Sequence, residues 1–82
     1  MLPLGLLQSG EKGEIINILS TGRGMGRGII FRLESMGLMP GKIVEILNNT
    51  GWGPMLVKVD GSRIAIGRGM AMKIMVKRLS WG

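Results

Sequence analysis

Residues 55–67 read MLVKVDGSRIAIG and contain two apolar runs on either side of an Asp-Gly pair. In the first run apolar residues stand at alternate positions, which places them on one face of a strand. Asp60 and Gly61 both tolerate a positive φ, as the two central residues of a tight primed turn must. The stretch therefore predicts a hairpin of two strands, 55–60 and 62–67.

Three further segments have the composition of strands. Residues 14–19 are rich in Ile, residues 42–48 alternate with prominent β-branched side chains, and residues 73–79 place Ile74 and Val76 on one side. With the hairpin, these segments predict a mainly β fold: a small, strongly bent barrel of five short strands whose closure protects its edges.

One short helix is expected after the first strand. From Ile29 to Met36 the apolar residues recur at spacings of three and four, as on one face of a helix. Gly37 suits the left-handed residue that ends a helix, and Pro40 prevents the helix from resuming. A single helical turn is expected at residues 68–72.

Composition excludes most catalytic and metal-binding chemistry. The 82 residues leave room for one packed core, so we expect a single domain over residues 1–82. Because Cys and His are absent, the chain has no disulfide, no thiolate ligand and no imidazole base. The five carboxylates lie far apart in the sequence and the eight Met are scattered. We therefore expect no enzymatic activity, no cofactor and no metal site.

The excess of positive charge is concentrated in the last quarter of the chain. Lys and Arg outnumber Asp and Glu by 11 to 5, and no acidic residue follows Asp60. This asymmetry favours an acidic protein, an anionic lipid surface or nucleic acid as the partner, and a solvated basic face is the alternative. The apolar residues 1–7 are too few to cross a bilayer and lack the features of a signal peptide, so we expect a cytoplasmic protein.

A glycine-rich loop precedes the predicted helix. Its sequence GRGMGRGI, residues 22–29, resembles loops that bind phosphate at the start of a helix. No Lys followed by Ser or Thr comes after it, however, and the chain is too short for the βαβ repeat of a nucleotide site. We therefore favour a flexible connection over a nucleotide site.

The helix and its exit resemble a known family. Residues 32–41, RLESMGLMPG, are similar to the signature of the ferrous iron transport protein A family, and residues 53–57, the Gly67-Arg68 pair and residues 70–76 are similar to it in the same order. The resemblance extends from about Leu4 to Val76. It implies an SH3-like barrel and a small cytoplasmic accessory protein of bacterial ferrous iron uptake. The implied partner is ferrous iron transport protein B, a membrane transporter with a GTP-binding domain. The membrane would be reached only through this partner.

The sequence also suggests where a partner binds. A barrel this small has little room to bury every apolar side chain, and binding residues often gather on loops. If the helix exit and the loop before residue 55 meet, they form one apolar patch with basic residues around it. The candidate partner-binding residues are Leu38, Met39, Trp52, Met55, Lys77 and Arg78. For Trp52, packing back over the end of the barrel is the alternative.

A basic small barrel that binds nucleic acid is the alternative function. The sequence pI near 11.0 permits it. The predicted strands lack the interleaved aromatic side chains on which bases commonly stack, which argues against nucleic acid. Self-association is left open by the sequence.

Overall fold

The computed structural model describes residues 1–19 and 27–79. Most of the Gly-rich loop and Trp81 lie outside these residues. The described strands form one antiparallel sheet in the order β1-β6-β2-β3-β4-β5. The strands are β1 (Leu2–Pro3), β2 (Lys12–Ile18), β3 (Ile43–Asn48), β4 (Met55–Val59), β5 (Ser62–Ile66) and β6 (Ile74–Leu79). The helices are a 3₁₀ turn (Leu4–Leu6), α1 (Arg27–Ser35) and α2 (Arg68–Ala71).

The hairpin of β4 and β5 confirms the sequence prediction. Val59 pairs with Ser62 across the turn, and the two residues between them have positive φ, 51° at Asp60 and 79° at Gly61. Positive φ at both central residues matches the right-handed twist of the two strands. The predicted alternation of β4 is observed, and the three apolar residues that share one face are buried: Met55, Val57 and Val59.

The end of α1 also follows the prediction. Gly37 has a φ of 89° and donates its N–H to the carbonyl of Glu34, while Leu38 donates its N–H to the carbonyl of Leu33. These two bonds define a Schellman motif, in which the residue after the Gly packs back against the helix. Leu38 is accordingly fully buried.

The described part of the chain forms a sheet of six strands rather than five. The sequence provided no strand signal at the N-terminus, where Pro and Gly interrupt a short apolar run. In the structure Leu2 and Pro3 pair with Val76 and Met75 of β6 and form an edge strand. Pro is tolerated in an edge strand because it has no N–H to donate on the side that faces solvent. The 3₁₀ turn that follows carries Leu4 into the core.

One core lies on the inner face of this sheet. Register shifts between Ile15 and Asn17 of β2, and between Ile46 and Asn48 of β3, mark irregularities where the strands bend. This bending lets a single sheet wrap around one cluster of side chains. The cluster contains Leu4, Leu7, Ile15, Leu33, Leu38, Val44, Ile46, Met55, Val57, Val59, Ile66, Ala71, Ile74 and Val76. Within the described residues, neither α-helix has the length and apolar character needed to cross a bilayer.

Candidate functional site

Two of the residues predicted to contact a partner belong to the core. Leu38 is 0% exposed and Met55 is 1% exposed, so neither presents a side chain to a partner. The prediction was wrong for these two residues because a local sequence pattern does not show how deeply a side chain is buried. Leu38 is buried by the Schellman motif, and Met55 is the first inward-facing residue of β4.

The helix exit and the long loop do not meet. Met39 lies before β3, in the turn where its carbonyl accepts the N–H of Lys42. Trp52 lies after β3, which ends at Asn48. A strand rises about 3.4 Å per residue, so the two ends of the six-residue β3 lie about 17 Å apart. Met39 is half-buried. The single apolar patch that the sequence suggested is therefore not formed.

The loop that carries Trp52 is instead attached to the segment around the N-terminal 3₁₀ turn. Asn49 begins the loop between β3 and β4, and its side-chain amide donates hydrogen bonds to the carbonyls of Leu7, at 2.6 Å, and Gly5, at 3.2 Å. Its backbone N–H donates to the hydroxyl of Ser9 at 2.9 Å. These three bonds attach the start of the loop to the segment that precedes β2.

Arg68 completes the attachment from α2. Its guanidinium donates hydrogen bonds to the carbonyl of Gly53 at 3.2 Å, to the carbonyl of Gly5 at 3.1 Å, and to the side-chain carbonyl of Asn49. One planar side chain thus joins the backbone next to Trp52 to the backbone next to Leu6. Five donors in a rigid fork make Arg suited to hold several acceptors at once.

We call the surface formed by residues 5–9 and 49–53 the loop surface. Its two large exposed apolar side chains are Trp52, which is 78% exposed, and Leu6, which is 55% exposed. Between the two segments lies an open cavity of about 540 Å³. Since the loop backbone is held by Asn49 and Arg68, the exposed indole is presented from a fixed support, which lowers the entropic cost of binding.

The predicted basic residues do not lie beside the loop surface. Lys77 pairs in register with Glu14, and Arg78 with Gly13. Glu14 and Gly13 are in turn opposite Ile43 and Val44, the first two residues of β3, whereas the loop with Trp52 follows the last residue of β3. Lys77 is exposed, and Arg78 forms an ion pair of 2.9 Å with Glu11. The structure therefore does not bring Lys77 and Arg78 together with Trp52.

The residues that build this site were not selected from the sequence. Leu6, Asn49 and Arg68 act through contacts between segments that are distant in the chain, and the nearest sequence signals were the Gly67-Arg68 pair and the polar composition of the loop. In the part of the chain that the structure describes, no three acidic side chains come together to hold a metal ion. The arrangement presents two large apolar side chains, Trp52 and Leu6, for contact with a partner.

Comparison with known proteins agrees with this structure. The family model described as the FeoA domain matches residues 2–78. The whole chain is 39% identical to an Fe(2+) transport protein A of Methanocaldococcus jannaschii, and covers 93% of it. A crystal structure described as the iron uptake regulatory protein FeoA is 40% identical, with a TM-score of 0.83 over 95% of this chain and 97% of that one.

A more distant structure supports the fold alone. FeoA of Stenotrophomonas maltophilia, described as an SH3 domain protein, is 22% identical, with a TM-score of 0.78 over 94% of this chain and 91% of that one. The mainly β, SH3-like architecture expected from the sequence is thus confirmed, with one strand more than predicted. The family match over most of the chain and the sheet that curves around one core show that the chain belongs to the FeoA domain family.

Proposed function

We propose that the protein is a cytoplasmic accessory protein of ferrous iron uptake that binds the membrane transporter, ferrous iron transport protein B, through its loop surface. Membership of the FeoA domain family and the names of its relatives support the link to ferrous iron. The choice of the loop surface as the binding site rests on Trp52, which is 78% exposed on a loop held by Asn49 and Arg68.

The chemistry of the loop surface suits a protein partner. An exposed Trp on a fixed backbone is typical of a binding anchor, because a large rigid side chain loses little conformational entropy when it is buried. Leu6 supplies a second apolar contact, and the net charge of +6 makes the molecule as a whole positive. A complementary site would have an apolar pocket with acidic residues at its rim, so that charge speeds the encounter and burial holds the complex.

The experiment measures binding kinetics between the full chain and the immobilised cytoplasmic domain of the transporter. We expect Trp52→Ala to weaken binding by at least about tenfold, mostly through faster dissociation, because hot-spot truncation costs about 2 kcal/mol or more. Phe31→Ala is the matched control, since Phe31 is 73% exposed on α1, away from the loop surface. Circular dichroism verifies that both variants are folded. Equal affinity of Trp52→Ala and the wild type would place the interface elsewhere.

A further inference from the structure

Within residues 1–19 and 27–79, the last strand of the sheet, β5, has a free edge. In this part of the chain β5 pairs with β4 alone, and their ladder has no register shift from Met55–Ile66 to Val59–Ser62. Ser62 and Val59 flank a two-residue turn and so form a hydrogen-bonded pair, after which bonded and non-bonded pairs alternate. The N–H and C=O groups of Arg63 and Ala65 therefore point away from β4, toward the open edge.

An apolar groove runs beside this edge. It has a volume of about 290 Å³ and lies between α1 and the end of β5, lined by Leu33, Met36, Ala65 and Met70 among others. Met36 and Met70 are half-buried and pack against the core. A flexible, polarisable Met side chain adapts to different apolar groups, which suits a groove that accepts a side chain from another molecule.

The charges across the sheet indicate what would pair with the edge. Lys12 is opposite Glu45, Glu45 is opposite Lys58, and Lys58 is opposite Arg63. From Lys12 to Glu45 to Lys58 the charge therefore changes sign at each step. Lys58 and Arg63, at the edge, are both positive and both exposed. Like charges directly opposite one another are destabilising, whereas opposite charges contribute favourably. A carboxylate on a further strand next to Arg63 would offset this repulsion.

We propose that the free edge of β5 binds an extended segment of another protein in which apolar and acidic residues alternate. The segment would form main-chain hydrogen bonds with Arg63 and Ala65. An acidic side chain would lie beside Arg63 on the outer face, and the neighbouring side chains, which point to the opposite face, would enter the groove at Leu33 and Met36. Strand addition of this kind obtains affinity from main-chain bonds and specificity from alternate side chains.

A second copy of this chain is a poorer occupant. It would bring a second Arg63 rather than a carboxylate to the edge, and each copy has a net charge of +6. The inference is independent of the proposed transporter partner, because its test uses neither the transporter nor Trp52.

The test adds a short capped peptide of alternating Glu and Val to the isotope-labelled full chain and follows backbone amide exchange by NMR. We expect the amides of Arg63 and Ala65 to become protected, with shifts at Leu33 and Met36. A peptide of alternating Lys and Val should bind more weakly. Protection from exchange at residues outside β5 only would overturn the proposal. Protection of the β5 amides in the absence of peptide, with a dimer detected by sedimentation, would also overturn it.

Two variants test the main-chain bonds and the charge separately. Ala65→Pro removes the outward N–H and should weaken binding of the Glu peptide by about tenfold, whereas Ala65→Ser keeps this group and should bind normally. Arg63→Glu should reverse the preference between the two peptides. If Ala65→Pro does not fold, the proposal is decided by two other results. These are the protection of the β5 amides in the wild type and the reversed peptide preference of Arg63→Glu. Equal binding by folded Ala65→Pro and Ala65→Ser, or an unchanged preference in Arg63→Glu, contradicts the proposal.

Discussion

Gly37 shows how one residue determines the end of an element. Its φ of 89° lies in the left-handed region, which side chains with a Cβ rarely adopt. Space is not the constraint, since an added Cβ would meet its nearest neighbours, in Val59 and Asp60, at 3.7 Å. The need for Gly here comes from the backbone conformation that places Leu38 in the core.

Replacing Gly37 therefore tests the backbone conformation directly. We expect Gly37→Val to lower the free energy of unfolding by about 1–2 kcal/mol, the penalty of a β-branched residue in the left-handed region. Gly67→Ala is the control, because Gly67 has a φ of −63° and an added Cβ would meet nothing within 4 Å. Chemical denaturation measures both variants. Equal midpoints and slopes for Gly37→Val and the wild type would contradict this assignment.

At the scale of elements, the N-terminal segment is part of the fold. β1 pairs with β6, and the 3₁₀ turn that follows begins with Leu4 and is followed by Leu7, both 0% exposed in the core. Close packing continues where the segment meets the sheet, since a Cβ at Gly13 would lie 3.0 Å from both Leu7 and Val76. The segment thus fills one end of the curved sheet and also supports the loop surface through Asn49.

Two neighbouring leucines of this segment differ in burial: Leu7 is packed in the core and Leu6 is exposed. Leu7→Ala should lower the free energy of unfolding by about 2–5 kcal/mol, because it leaves a cavity in the core. Leu6→Ala should change it by less than about 0.5 kcal/mol, since Leu6 is 55% exposed. Urea unfolding followed by circular dichroism measures both changes. Comparable losses from the two substitutions would mean that the turn is oriented differently.

For the molecule as a whole, the net charge of +6 favours encounter with an acidic partner. The register of β2, β3 and β6 places Lys77 and Arg78 opposite the start of β3 rather than beside the loop surface. Charges at the edge of an interface affect the rate of encounter more than the lifetime of the complex. Their effect is screened by salt, because the Debye length falls from about 30 Å at 0.01 M to about 8 Å at 0.15 M ionic strength.

Association with the transporter domain should therefore slow as ionic strength rises, while dissociation changes little. Lys77→Ala and Lys58→Ala each remove one exposed positive charge, so each should reduce the association rate and its salt dependence by a small amount. Surface binding kinetics at several salt concentrations measures both effects. An association rate that does not change with salt would exclude steering by these charges. Tight DNA or RNA binding with a steep salt slope would instead support the nucleic-acid alternative.

Much of the local structure could be predicted because its determinants are close together in the chain. The Asp60-Gly61 turn, the alternation of β4 and the Gly37 stop each depend on the conformational preferences of a few adjacent residues. The helix was placed by its period of three to four residues, although it begins at Arg27 rather than Ile29. End positions are less certain than centres because the first turn of a helix has few internal bonds.

The candidate site could be predicted only in part, because exposure depends on which segments cover a side chain. From the sequence alone follow the mainly β class, the resemblance to an iron transport family and Trp52 as a candidate contact. Only the tertiary structure decided that Leu38 and Met55 are core residues, that Leu2 and Pro3 form a sixth strand, and that Met39 and Trp52 lie apart. These features arise from pairing and packing between segments far apart in the chain, which no local pattern of residues specifies.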